Sequence, residues 1–226
     1  MNSLERLYER WIGGRVFGRR VQTLCDHLAP LIPPDARVLD VGCGNGLIAS
    51  QIKQRRPDVD VRGIDVLIQE KCHIPVDTFD GRTLPYGDAS FDVVMFVDVL
   101  HHTTDAMALL REAVRVARQA LLIKDHPLNG LLDRPTLRFM DWVANRKYGI
   151  ALPYNYWTRQ QWFDAFAALG LTVNFWNTRL GLYKPAGWLF GRQLHFVARL
   201  DVPGRAAPSD PGLGVGAHNE MTAPHR

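Results

Sequence analysis

Three ionisable residues close an apolar run at "LLIKDHP", residues 121–127. Lys124, Asp125 and His126 stand where a buried strand would end, and such groups at a strand end hold charge or move protons. A second set follows the apolar run "FDVVMFVDVL": Asp98 lies within it, and His101 and His102 come next. His126, Asp125 and His101 are the candidate catalytic groups, with His126 taken ahead of Asp125 as the base. Alternation along an extended chain puts Lys124 and His126 on one side and Asp125 on the other. His101, His102 and Asp105 could also be read as metal ligands. Adjacent histidines seldom point at one ion, so no metal site is expected.

A third region carries no base but a binding loop. "VLDVGCGNGLIAS", residues 38–50, reads as a strand, a glycine-rich turn and a helix start. Gly42, Gly44 and Gly46 permit positive φ and close approach of a ligand to the backbone. The third position of a dinucleotide fingerprint is Leu47 rather than glycine or alanine, which weakens a nicotinamide reading. No Gly-Lys-Ser/Thr follows, so a phosphate-cradling loop is excluded. The next strand, "VRGID", ends in Asp65, at the spacing where an acid accepts hydrogen bonds from ribose hydroxyls. Loop and acid together point to a nucleoside.

The elements that must position these groups alternate. "RVLDVG", "VDVRGID", "IPVDTFD", "FDVVMFVDVL" and "ALLIKD" read as strands, the third weakly. "GLIASQIKQRRPD" and "TDAMALLREAVRVARQ" read as helices, the second with apolar positions 106, 109, 110, 113, 114 and 117 at helical spacing. Thr104 or Asp105 can cap it. Residues 3–30 look helical with a break at Gly13-Gly14, and "LRFMDWVANR" suggests a short helix within 127–157. Thr158 to Gln161 forms a capping box, and Gly170 ends the helix it opens. "LTVNFWNTRL" and "QLHFVARL" are closing strands. Strand–helix alternation requires a mainly parallel sheet covered on both faces, a three-layer α/β/α sandwich. Ligands then bind outside the carboxyl ends of the strands, where the candidate residues stand.

"VLDVGCGNG", "GID" and "FDGRTLPYGDASFDVVMFVDVLHH" together resemble the class I S-adenosylmethionine-dependent methyltransferases, and most closely their type 11 branch. The resemblance covers about residues 35–125. It implies a Rossmann-like, seven-stranded, mainly parallel sheet with an antiparallel last strand. It implies S-adenosylmethionine as cofactor, with Asp40, Gly42, Cys43 and Gly44 at the methionine and ribose end. Asp65 would bind the ribose hydroxyls, with Val66 beside it. Asp80 would contact the adenine amino group and Gly81 would offer its backbone N–H to the ring. Val97 would line the cofactor site, and Asp98 to His102 would sit where that strand's end faces the sulfonium. This cofactor has no phosphate, and acids at 40, 65 and 80 suit it better than they suit a pyrophosphate.

The segment 127–157 is too long for an ordinary connection. The resemblance implies that it covers the cofactor pocket and, with an N-terminal helical lid over 1–32, forms the acceptor site. "LPYNYW" suggests an aromatic-walled pocket, with His102, Tyr154, Asn155 and Tyr156 as candidate substrate-binding residues. Residues 1–202 read as one domain and 203–226, rich in glycine, proline and alanine, as a disordered tail.

The chain has 226 residues, a formal charge of +4 and three scattered cysteines. No apolar run reaches the ~18 residues of a membrane span. A cytoplasmic enzyme is expected, with neither a disulfide framework nor a dense basic stripe for nucleic acid. The leading reading is methylation of a small, partly apolar organic molecule, at O, N or C. Two others stay open. One is a quinone- or lipid-like acceptor met at a membrane surface through the N-terminal arginines. The other is a cofactor-binding protein that transfers no methyl group.

Overall fold

A computed structural model describes residues 14–145, 153–182 and 193–204. The first helix of the described residues, α1 (Gly14–Leu28), is followed by a 3-10 turn over Ala29–Leu31. The part of the N-terminal lid before residue 14, residues 146–152 of the insertion, and the tail from 205 lie outside the described residues. Strands β1 (Arg37–Val41), β2 (Asp60–Asp65), β3 (Val76–Thr78), β4 (Phe91–Val97) and β5 (Ala117–Asp125) alternate with helices α2 (Leu47–Arg55) and α3 (Ala106–Val116). After β5 come β6 (Pro127–Leu128), α4 (Asp133–Asn145), β7 (Trp157–Thr158), α5 (Arg159–Ala168), β8 (Thr172–Asn177) and β9 (Phe196–Asp201).

The sheet has seven strands in the order β3-β2-β1-β4-β5-β9-β8. β9, the last in sequence, runs antiparallel to both β5 and β8, and the pairs among β1 to β5 are parallel. Both faces are covered, which is why the central strands are apolar without alternation. On one face Leu39, Val94, Phe96 and Leu121 pack with Leu109 and Leu110 of α3 and Trp162 of α5. On the other, Val38, Val93 and Leu122 pack with Leu24 of α1 and Ile52 of α2.

Local chemistry sets the helix ends. The Asp105 carboxylate accepts from the Ala108 N–H and caps α3. Thr158 and Gln161 exchange hydrogen bonds of 3.2 and 2.8 Å in the expected capping box. Gly170, at φ +67°, follows α5. The end of α3 differs from the sequence reading. α3 stops at Val116 rather than at residue 119, because Ala117 pairs with Phe91 and begins β5. The guanidinium of Arg115 helps fix that turn, donating to Glu112 and to the Leu84 and Tyr86 carbonyls. The segment after β5 also carries an unexpected parallel pair, β6 with β7, which brings its start and end together.

Candidate active site

The glycine loop lies between β1 and α2. Gly42, Gly44 and Gly46 all have positive φ. A Cβ on Gly42 would stand 2.7 Å from the Val99 side chain, and one on Gly46 would stand 2.4 Å from Ile74. The loop is therefore wedged between β4 and the segment before β3, and only glycine fits there. Cys43 turns beneath it. Its Sγ would lie 2.5 Å from a Cβ on Gly63, and burial, then Asp40 and Asp65, push its thiol pKa up. Its backbone N–H donates to Ile64 O and its carbonyl accepts from the Gly46 N–H, so Cys43 helps shape the turn.

Asp65 closes the loop from β2. One oxygen accepts from the Gly44 N–H at 2.7 Å and the other from the Leu67 N–H at 3.1 Å. Buried Asp40 stands nearby, its pKa pushed up to about 8 by burial and by the charge of Asp65. Asp80 is exposed and accepts from the Thr83 and Arg82 N–H groups, both at Oδ1; those bonds hold its pKa down. Gly81, at φ +78°, comes close to Val66: a Cβ there would lie 3.2 Å from the valine side chain. Val66, Leu67 and Ile68 are all exposed, an apolar shelf beside Asp65. The predicted loop and nucleoside residues are thus brought together at the ends of β1 and β2.

The strand ends of β4 and β5 hold two charge networks, one on each side of the β5 end. Asp98, at φ +60°, turns its carboxylate inward to Arg20 of α1, Lys124 and His126. Burial would raise its pKa, but Lys124, Arg20 and His126 hold it well below the ordinary carboxylate range. Lys124 is fully buried, which pulls its ammonium down against the opposing charge of Asp98, and it also lies 3.3 Å from His195 Nδ1. His126 engages both nitrogens: Nδ1 lies 2.9 Å from the Leu194 carbonyl and Nε2 lies 3.2 Å from Asp98. Both partners are acceptors.

On the other side Asp125 accepts from His101 Nδ1 at 2.6 Å, from the Leu100 N–H and from the His126 N–H. The second nitrogen of His101 lies 3.4 Å from Asp141 of α4. Burial would lower the His101 pKa, but Asp125 and then Asp141 raise it to about 10, so the ring is a cation at neutral pH. His102 lies against it with ring centroids 3.8 Å apart and the planes tilted by 52°, and burial with the His101 charge lowers its pKa to about 4. Its Nδ1 is buried with no hydrogen-bond partner among the described residues. The strand alternation read from sequence holds here, with Lys124 and His126 meeting Asp98 while Asp125 meets His101.

Val97 ends β4 opposite Lys124 of β5. Tyr154, Asn155 and Tyr156 line a cavity of about 320 Å³ against the first turn of α3, with Arg134 and Trp157 among its walls. Asn155 is committed to the chain: its backbone N–H donates to His101 O and its amide to Thr103 O. Tyr156 is buried and donates its hydroxyl to Asp141. Tyr154 sits at φ +53° beneath the Arg138 guanidinium, 5.0 Å from its ring centre. Arg20, Asp141 and His195 were not singled out from sequence. Each lies far along the chain from the strand ends it joins, with no spacing to betray it.

Residues 12–174 match the family described as methyltransferase domain. Over 110 residues, 42% of this chain and 40% of the relative, it is 36% identical to 27-O-demethylrifamycin SV methyltransferase of Amycolatopsis mediterranei. Over 120 residues, 48% of this chain and 42% of the relative, it is 32% identical to phthiotriol/phenolphthiotriol dimycocerosates methyltransferase 1 of Mycobacterium ulcerans. The chain thus spans about two-fifths of the length of these relatives. Among solved structures, a protein of Pyrococcus horikoshii shares the fold at a TM-score of 0.60 and 16% identity, with 82% of this chain and 91% of that one covered. With a matched span that runs from before the glycine loop to β8, this chain belongs to the methyltransferase-domain family.

Proposed function

We propose that the protein transfers a methyl group from S-adenosylmethionine to a small, partly apolar organic molecule. The observation that carries this reading is the acid-rich cradle around the glycine loop. Asp40 and Asp65 are close enough for one to raise the pKa of the other, and no hydrogen bond or ion pair to a cation is recorded for either among the described residues. Such a pair suits a ligand that brings hydroxyls and a positive charge. Each Asp65 oxygen accepts one backbone N–H and keeps a lone pair for a ribose hydroxyl. Asp80 has Oδ2 available for an adenine amino group, and Val66 with Gly81 offers an apolar, closely approached shelf for the ring.

When bound, S-adenosylmethionine supplies a methyl group activated by a sulfonium. The chain's own contribution is approach geometry and a water-poor site. His101, Asp125, Asp98 and Lys124 brace the ends of β4 and β5. The cavity lined by Tyr154, Asn155 and Tyr156 is the proposed acceptor site; His102 is not among its walls. Tyr154, Tyr156 and Trp157 give it apolar surface, and Asp105, Arg134 and Asn155 give it polar groups that would fix a partly apolar acceptor.

Titration calorimetry with S-adenosylmethionine tests the cofactor, and Asp65→Asn should weaken binding about ten-fold or more by losing charge-assisted hydrogen bonds. Labelled methyl transfer into a metabolite extract then tests the reaction. Absence of cofactor binding overturns the proposal. Binding without transfer to any extract component favours the non-methylating reading.

A further inference from the structure

Helix α4 is inverted. Among its described side chains, Asp133, Leu137 and Asp141, one turn apart, are the buried ones. Asp133 accepts from the Asn129 and Gly130 N–H groups, and Asp141 takes the Tyr156 hydroxyl and faces His101. The opposite ridge, Leu132, Pro135, Phe139 and Trp142, is exposed at spacings of three, four and three. Leu132 is 64% exposed, Phe139 55% and Trp142 51%, and neighbouring Leu131 is 99% exposed. A helix on a water-facing surface normally shows the reverse pattern. A contiguous apolar ridge of this kind marks a surface that meets something apolar.

The charges beside the ridge indicate what it meets. Arg134 and Arg138 stand one turn apart along it. Two copies packed ridge to ridge about a two-fold axis would bring these arginines toward their own equivalents, a like-charge contact. An anionic lipid surface has no such conflict. It takes apolar side chains at the boundary of acyl chains and headgroups, aromatic residues at the headgroup level, and arginines on phosphates. No helix of the described residues is long and apolar enough to cross a membrane, so attachment would be to the surface.

We propose that α4 docks on an anionic lipid bilayer through Leu131, Leu132, Phe139 and Trp142, flanked by Arg134 and Arg138. The inner face of the same helix carries Asp141 to His101, so docking holds the wall of the active site against the membrane. An apolar acceptor could then enter without crossing water. The inference needs only the surface of α4 and stands whether or not the cofactor reading holds.

Flotation of the full chain with vesicles tests it. Wild type should float with mixed phosphatidylcholine–phosphatidylglycerol vesicles and much less with phosphatidylcholine alone. The double variant Phe139→Ser/Trp142→Ser should bind about ten-fold more weakly or worse, from the lost apolar burial. Arg134→Gln/Arg138→Gln should lose about five-fold per arginine at low salt, a loss that shrinks as salt rises. Phe139 and Trp142 are exposed, so the serine pair should melt as wild type does. The arginine pair also loses the Arg138–Tyr154 contact and an Arg134 wall of the cavity, so it is the salt dependence of its flotation that reports on lipid. If the serine pair misfolds, quenching of wild-type tryptophan fluorescence by brominated lipid gives an independent reading. The proposal is overturned if wild type does not float with anionic vesicles. It is also overturned if neither double variant changes flotation, or if light scattering shows a wild-type dimer that the serine pair dissolves. S-adenosylmethionine calorimetry on the same variants keeps a failure here apart from a failure of the cofactor site.

Discussion

Replacing Asp125 with Asn should expose how much of the site is held by a buried charge. The carboxylate is fully buried and accepts three hydrogen bonds, from His101 Nδ1 at 2.6 Å, Leu100 N–H at 3.1 Å and His126 N–H at 2.8 Å. The first and third share Oδ1, and the second uses Oδ2. An amide has one oxygen, so in either orientation its NH₂ faces at least one donor. That leaves a buried donor unpaired, at a cost of about 1–3 kcal/mol. The His101 cation also loses its nearer counter-charge, and breaking a buried pair costs about 3–5 kcal/mol. Asp141 remains, 3.4 Å from the other ring nitrogen, so we expect a total near the lower end, about 3 kcal/mol. For a chain of this size that corresponds to a fall in Tm of about 6–12 °C. The pH dependence has a definite sign. The folded pKa of His101 is raised to about 10 from an ordinary value near 6.5. Its stabilisation is complete below about pH 6.5 and is lost as pH rises through 10. Urea titrations of wild type and Asp125→Asn at pH 6.5 and pH 10 should therefore show a large gap that narrows to about 1 kcal/mol, the hydrogen-bond part. A gap under about 1 kcal/mol at pH 6.5, or one that does not narrow at pH 10, would refute the buried ion pair.

Other perturbations probe the loop and the second network. Gly46→Ala combines φ +71° with a Cβ 2.4 Å from Ile74, so it should cost about 2–4 kcal/mol in denaturant unfolding and abolish cofactor binding. An alanine variant of unchanged stability would mean that the loop is not wedged. Asp40 has a folded pKa near 8 against an ordinary value near 4, so its contribution favours the fold at low pH and declines as pH climbs from about 4 to 8. Asp40→Asn should flatten that decline, and parallel wild-type and variant curves would contradict it. His126 faces acceptors with both nitrogens, so His126→Ala should cut turnover by disturbing Asp98, and His126→Gln, which keeps a donor toward it, should recover much of the loss. Equal loss in both variants, with an acidic limb of the pH–rate profile removed, would instead identify His126 as the base.

The sheet was legible because its signals are local. "VLDVGCGNG" places a strand, three positive-φ turns and a helix start within a few residues, and Asp65 reaches the loop by ending the next strand. The alternation at Lys124, Asp125 and His126 foretold which side of the sheet each would serve. What stayed hidden depends on distance. Arg20 is 78 residues from Asp98, and His195 is 71 from Lys124. Nothing in "LRFMDWVANR" says that its buried face is the acidic one. A periodicity of apolar residues predicts which side of a helix is apolar, but not that this side faces out. The end of α3 was misplaced for a related reason. "ARQ" continues a helical pattern locally, and only pairing of Ala117 with Phe91 makes it a strand.

The two networks also explain why so many charges crowd the reacting end. Arg20, Lys124 and His101 stand against Asp98, Asp125 and Asp141, so cations and carboxylates there are matched one to one. At the glycine loop no ion pair joins Asp40, Asp65 or Asp80 to a cation among the described residues, and Asp40, with its pKa raised to about 8, carries little charge of its own at neutral pH. The strand ends are close to neutral by pairing, and the loop relies on Asp65 and Asp80 for its negative charge. That division is useful for chemistry in which a localised positive charge is dispersed as bonds change. A bare carboxylate at the strand ends would hold the starting charge more tightly than the dispersed one, and so raise the barrier. By cancelling Asp98 with Arg20, Lys124 and His126, the fold keeps an acid at the tip of β4 for its hydrogen bonds without that penalty. Arg20 comes from α1, whose Leu24 and Leu28 are buried in the core, so packing of the N-terminal helix and charge balance at the tip of β4 are set together.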